Sequence, residues 1–146
     1  MRFLAAFDKF KDALNAGDVC RLACKKLKSS LSNVRVSETP LTDGGEGFCD
    51  ILTEAVGGRF SSHIVEGVLG KPIEARIGYA ELSLLSLEVR ELADLPSSGE
   101  VAVVEMASVA GLQQVPIALR DPWSASTFGV GELLEHASKD GAVAIL

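Results

Sequence analysis

Leu41-Thr42-Asp43-Gly44-Gly45-Glu46-Gly47 decides how this chain is read. Three glycines in four positions bare the backbone between two acids. Glycine turns through positive φ without steric cost and lets a ligand come up against the main chain. Pro40 ends a short alternating strand just before this stretch. Phe48, Ile51, Leu52 and Ala55 begin an apolar stripe at helical spacing just after it. The acidic glycine loop therefore joins a strand to a helix, at the edge where ligands of open α/β sheets bind. Asp43 and Glu46 also fit a capping box, with Asp43 as N-cap and Glu46 at N3. A cap needs no run of glycines. The surplus points to a small oxygen-rich ligand or a hydrated divalent cation.

Upstream, the apolar run Arg2 to Phe7 predicts a buried first strand, and Asp8-Lys9-Phe10-Lys11-Asp12 a charged loop past its carboxyl end. Asn15 with Asp18 three residues on predicts a helix start. Val19, Leu22, Ala23 and Leu27 form its apolar face, and Lys25, Lys26 and Lys28 complement the dipole in its last turn. Val34 to Thr39 alternates as a second strand, and Gly57-Gly58 stops the helix that follows the glycine loop. Residues 1–59 thus predict a βαβα lobe on a parallel sheet, of Rossmann or flavodoxin-like type. Both charged loops follow strands, which places Asp8, Lys11, Asp43 and Glu46 on one sheet edge.

The pattern changes after Arg59. Ser62 to Val68 and Ile73 to Tyr79 predict a hairpin around Leu69-Gly70-Lys71-Pro72. Leu82, Leu85, Val89 and Leu92 predict one amphipathic helix, and Val101 to Glu105 a β-branched strand. Ala107 to Leu112 opens a short helix, and Arg120-Asp121-Pro122-Trp123 forms a loop. Ser124 to Glu132 is a second glycine-bearing helix mouth, with Leu133, Leu134 and Ala137 as the apolar face of its helix. Gly141 ends that helix, and Ala142 to Leu146 opens a strand. Residues 60–146 therefore predict part of a second, mixed α/β lobe. An apolar strand at the last residue predicts an amino-terminal piece truncated at a sheet strand, because termini ordinarily lie at the surface.

The chain has 146 residues, 47% of them hydrophobic and 23% charged, with a net charge of −6. No Lys/Arg cluster tracks a phosphate backbone, which argues against nucleic acid and anionic membranes. No signal peptide or apolar run of spanning length is visible. Cys20, Cys24 and Cys49 lack metal-ligand spacing and predict buried, reduced thiols in a cytoplasmic protein. His63 and His136 have no sequence partner for a triad or a metal site. Gly44-Gly45-Glu46-Gly47 is not a Walker A loop, since no Gly-Lys-[Ser/Thr] follows.

Five stretches resemble the bacterial-type glycerate kinase family. Ala6-Phe7-Asp8-Lys9-Phe10-Lys11 resembles the family's opening A-P-D-[SK]-F-K, and Thr42 to Gly47 its A-D-G-G-E-G loop. Gly67-Val68-Leu69-Gly70-Lys71-Pro72-Ile73 resembles G-P-L-G-x-P-V. Glu105 to Leu112 resembles E-M-A-x-A-S-G-L. Arg120-Asp121-Pro122 and Thr127 to Glu132 resemble R-[DN]-P and T-[ST]-[FY]-G-T-G-[EQ]. Phe7 stands in place of proline, Asp12-Ala13 in place of glycine-serine, Thr42 and Val109 in place of alanine, and Ala110 in place of serine. The family's further loop G-G-S-A-T-N-D-G-G lies beyond Leu146.

The resemblance implies ATP-dependent phosphorylation of a glycerate hydroxyl, with ATP and Mg²⁺ as cofactors and the remaining carboxyl-terminal half as partner. It implies Asp43 as base toward the hydroxyl or as magnesium ligand, Glu46 as a magnesium or hydroxyl contact, and Lys11 as a point charge on phosphate or carboxylate. Asp8, Gly44, Gly45, Arg120, Ser126, Thr127 and Gly129 would bind substrate. Each residue also has a structural reading. Asp43 and Glu46 can be a cap, Lys11 and Arg120 solvated surface, Asp8 a turn residue, and the 126–131 stretch ordinary capping and close packing. Two other classes fit the same residues: a non-catalytic acid- or cation-binding module, and a structural half that acts only when docked.

Overall fold

A computed structural model describes residues 1–146 as two compact units, Met1–Gly47 and Phe48–Leu146. In the first, strand β1 (Arg2–Ala5) and strand β2 (Arg35–Glu38) run parallel, with Arg2 opposite Arg35 and Ala5 opposite Glu38. Helix α1 (Ala16–Ser30) makes the crossover. It starts where the sequence expects, because the Asn15 side chain accepts the Asp18 N–H at 2.8 Å. Its inward positions are held by Val19, Cys20 and Cys24, and the two cysteines pack against Ala5. Leu22, expected on that face, is exposed. Asp12 stands at the turn position expected as glycine and adopts φ +60°, a left-handed conformation that aspartate tolerates better than most side chains.

The second unit begins with helix α2 (Phe48–Ala55). The sequence places this helix in the first lobe, up to residue 59. Its packing puts it with strands β4 (Pro72–Glu81) and β5 (Glu100–Val104), and Cys49 Sγ lies 3.3 Å from the Val103 carbonyl. Strand β3 (Arg59–Glu66) forms the expected hairpin with β4, and strand β6 (Ala144–Ile145) closes the order β3-β4-β5-β6. The first two pairings are antiparallel and the last is parallel, so the sheet is mixed. Helix α5 (Phe128–Lys139) covers one face. There Val65, Ala75, Ile77 and Tyr79 pack with Ala102, Val109, Leu133 and Ala137.

The single helix expected over 82–92 is broken. A 3₁₀ turn spans Leu82–Leu84, Leu85 is extended, and helix α3 (Leu87–Leu92) restarts where the Ser86 side chain accepts the Val89 N–H. Leu82 is buried, while Leu87, Val89 and Leu92 are exposed. The expected helix at 107–112 is helix α4 (Met106–Ala110) followed by a 3₁₀ turn at Leu112–Gln114. Leu134 faces outward, and the core side of α5 is Gly129, Leu133 and Ala137.

Candidate active site

Parallel pairing of β1 and β2 brings their carboxyl ends side by side. The pairing continues past the strands, with the Thr39 N–H on the Ala5 carbonyl and the Leu41 N–H on the Phe7 carbonyl, both at 2.9 Å. Continued two residues further, this register brings Lys9 level with Thr42 and Asp43. The Lys9 ammonium lies 2.9 Å from Asp43 Oδ1 and 3.5 Å from Glu46 Oε2. Its side chain is only 11% exposed, against 58% for Asp43 and 38% for Glu46. Asp43 Oδ1 also accepts the Gly45 N–H at 3.0 Å, and the Thr42 hydroxyl accepts the Gly44 N–H at 3.3 Å. Gly44 and Gly47 sit at φ +89° and +91°. The loop needs glycine at these positions because a side chain there would strain the turn.

The charges reinforce one another. The Lys9 ammonium and the Gly45 N–H hold the Asp43 carboxyl below the usual carboxylate range. The Asp43 carboxylate in turn raises Lys9 above the usual lysine range, against the desolvation that lowers it. Asp8 turns back on its own neighbour, its Oδ1 accepting the Lys9 N–H at 2.6 Å.

Lys9 is the residue that sequence reasoning missed. Lys11 sits in the tight turn in which Phe10 and Leu14 bridge, is exposed, and makes no ion pair. The register of the two strands sets Lys9 opposite Thr42, and the turn bridged by Phe10 and Leu14 ends the pairing before Lys11. Neither Asp43 nor Glu46 caps a helix, since α2 begins only at Phe48. One N–H in the first turn of α2 is satisfied from far along the chain. Buried Glu105, at the end of β5, accepts the Cys49 N–H at 3.1 Å through Oε2. Burial pushes the Cys49 thiol up, so this cysteine is not an activated nucleophile.

The second helix mouth lies in the second unit. The Ser126 hydroxyl accepts the Phe128 N–H at 3.0 Å, and the Ser126 N–H donates to the Val68 carbonyl at 3.0 Å. Thr127 is the N-cap residue but makes no side-chain cap bond. Gly129 is buried, and a Cβ there would run into the Glu66 carbonyl, so close packing of α5 already accounts for this glycine. Arg120 donates through Nε to the Val115 carbonyl at 3.2 Å and through Nη2 to the Leu112 carbonyl at 3.3 Å. It thereby pins the 112–119 turns beside an apolar cavity of about 290 Å³ lined by Val68, Leu69, Leu112 and Val115.

His63 and His136, left unassigned by the sequence, stack at 4.2 Å between ring centroids. The Ser61 hydroxyl lies 2.9 Å from His63 Nε2, and Asp140 Oδ2 lies 3.9 Å from the same nitrogen. A catalytic triad needs its serine and its carboxylate on opposite ring nitrogens. No group of three or more His, Cys, Asp or Glu is placed to hold a metal ion.

Fold and loop together define an α/β protein whose parallel strands end in an acidic, cation-bridged glycine loop. The chain matches the model of the glycerate kinase family over residues 3–146. It is 32% identical over 142 residues to a glycerate kinase of Bacillus subtilis, covering 97% of this chain and 33% of that protein. It is 29% identical over 146 residues to a glycerate 2-kinase of Escherichia coli, covering 100% of this chain and 34% of that protein. A crystal structure of a candidate glycerate kinase 2 from Salmonella typhimurium LT2 superposes with a TM-score of 0.67 at 33% identity, over 99% of this chain and 35% of the other. The chain belongs to the glycerate kinase family. It spans about a third of the length of the curated relatives it matches.

Proposed function

We propose that the chain contributes the acceptor-activating part of an ATP-dependent glycerate kinase, which transfers a phosphoryl group to a hydroxyl of D-glycerate. The observation that carries this reading is the convergence of Asp43, Glu46 and Lys9 at the paired strand exits. Phosphoryl transfer asks a protein mainly for positioning and charge stabilisation. Asp43 is exposed and stays ionised, so it can orient the glycerate hydroxyl and accept its proton. A carboxylate with a depressed pKa is a weak base, which suits a loose transition state in which the proton leaves late. Lys11 is exposed with no ion pair, and its ammonium is assigned to a phosphate as a point charge. Gly44 and Gly45 let substrate approach the backbone. Asp8 fixes the turn that presents Lys9. Within the second unit, Ser126, Thr127, Gly129 and Arg120 are assigned to an anion at the mouth of α5.

Magnesium fits this donor set. Asp43 and Glu46 are exposed hard-oxygen ligands beside a bare backbone, and Mg²⁺ is commonly held by one or two carboxylates plus waters and phosphates. When bound, it would neutralise charge on the transferring phosphates. Three free, buried cysteines accord with a cytoplasmic enzyme.

The share of the relatives' length favours a second reading, in which turnover requires polypeptide beyond the region matched here. ADP release with D-glycerate separates the two readings. It is measured on the chain alone and on a chimera in which the chain replaces the matching third of the Bacillus subtilis relative. Turnover by the chimera only supports the second reading, and a folded chimera without turnover overturns both. In whichever protein is active, Asp43→Asn retains the acceptor for the Gly45 N–H but loses the charge. Turnover falls by about 10²–10⁴-fold while the melting temperature changes little. Undiminished turnover in that variant removes Asp43 from the reaction.

A further inference from the structure

We propose that Lys9 is the resident cation of the acidic loop, and that its ammonium and a divalent metal ion compete for the Asp43 and Glu46 carboxylates. The proposal deepens the reading of this loop as the cation-holding part of a kinase. Lys9 is the one cationic side chain paired with both acids. Its side chain is largely buried although both carboxylates are exposed, so the ammonium is held in the loop. The loop is also shaped around it. A Cβ on Gly45 would stand 3.0 Å from Lys9 Nζ and 3.1 Å from Asp43 Oδ1, so the ammonium and the carboxylate would both have to give by a few tenths of an ångström to admit one.

A divalent ion held by the same two carboxylates would put a second positive charge beside the ammonium. Two cations that close repel strongly, so one occupant excludes the other. Lys9 leaves by rotating its side chain, because no backbone bond ties the ammonium down. The consequence is a loop that is preorganised and partly neutralised without metal, and that binds a free divalent ion weakly.

The test is Mn²⁺ binding to the 146-residue chain, read by electron paramagnetic resonance and independent of turnover. Lys9→Met keeps the side-chain stem and removes the charge. Mn²⁺ binds this variant at least about fivefold more tightly than wild type, as expected when one neighbouring positive charge is removed. Lys9→Arg stays at the wild-type level, and adding Asp43→Asn to Lys9→Met abolishes the gain. Equal affinity in wild type and a folded Lys9→Met, or weaker binding in Lys9→Met, overturns the proposal. Were Lys9→Met to lose its far-ultraviolet circular dichroism, wild type carries a second readout. With Mn²⁺ raised until the loop is filled, acetylation of Lys9 rises at least about threefold relative to Lys25, since an unpaired amine is the more reactive. Unchanged Lys9 labelling in a filled loop overturns the proposal, and so does a wild-type loop that no Mn²⁺ concentration fills. Loss of turnover in the chimera, with the Mn²⁺ difference intact, would sink the kinase reading alone.

Discussion

At Asp43 one carboxylate oxygen meets two donors, the Lys9 ammonium and the Gly45 N–H. Both favour the ionised form, so the folded-state pKa lies below that of a free aspartate. For a depressed carboxylate the stabilisation is fully present above the ordinary value of about 3.9 and is lost as pH falls through the folded value. Carboxyl carbon shifts followed by NMR should show Asp43 titrating below an ordinary aspartate in wild type, and moving back up in Lys9→Met. A midpoint that does not move on losing Lys9 would mean the turn amide alone sets it. The residue types at this site were legible, since acids and glycines declare themselves. The partner was not. Choosing Lys9 over Lys11 takes the strand register together with the Phe10–Leu14 turn that ends the pairing before Lys11.

Helix α2 and helix α5 carry the lesson at the scale of elements. The Asp43/Glu46 spacing matched a capping box, yet the Cys49 N–H in the first turn of α2 is satisfied by Glu105, 56 residues away. Local spacing cannot exclude a distant cap, because a backbone N–H donates to any well-placed oxygen. Glycines show the same limit. Gly78 lets α2 rest on β4, since a Cβ there would overlap the Thr53 hydroxyl. Gly129 lets α5 rest on the end of β3, where the obstacle is the Glu66 backbone and cannot rotate away. Gly129→Ala should therefore cost about 2–3 kcal/mol in urea denaturation, the usual scale for overpacking a tight contact. Gly131→Ala, on the same helix with open space at its Cβ, should cost nothing or stabilise slightly. Equal effects at the two positions would refute the packing account.

For the molecule as a whole, stability gathers on the mixed sheet. Tyr79 is buried in its core, donates to Asp140 Oδ2 at 2.6 Å, and lies under the Arg59 guanidinium, 4.1 Å from the ring centroid. Arg59 in turn makes a two-pronged pair with Glu100, at 2.9 and 2.6 Å. Burial, then Asp140, raise the Tyr79 phenol far above the usual tyrosine range. A raised pKa stabilises the protonated form, so its contribution is complete below the ordinary value of about 10 and is lost as pH rises beyond it. Tyr79→Phe should cost about 1 kcal/mol at neutral pH, the scale of one hydrogen bond, and flatten the alkaline fall in melting temperature above about pH 10. An unchanged alkaline limb would place the sensitive group elsewhere.

By itself the sequence determined the strand–loop–helix order, the parallel first pair, the hairpin and the glycine loop. Each of these rests on local periodicity and on residues with special backbone freedom, which act over a few positions. Local patterns gave Lys11 as the site's lysine, Asp43 with Glu46 as a possible cap and a boundary after residue 59, and left the histidines unassigned. The fold pairs Lys9 with the acids, brings Glu105 to the Cys49 N–H, divides after Gly47 and stacks His63 on His136. Those depend on strand register and on contacts between residues far apart in the chain, and such contacts exist only once the backbone has folded.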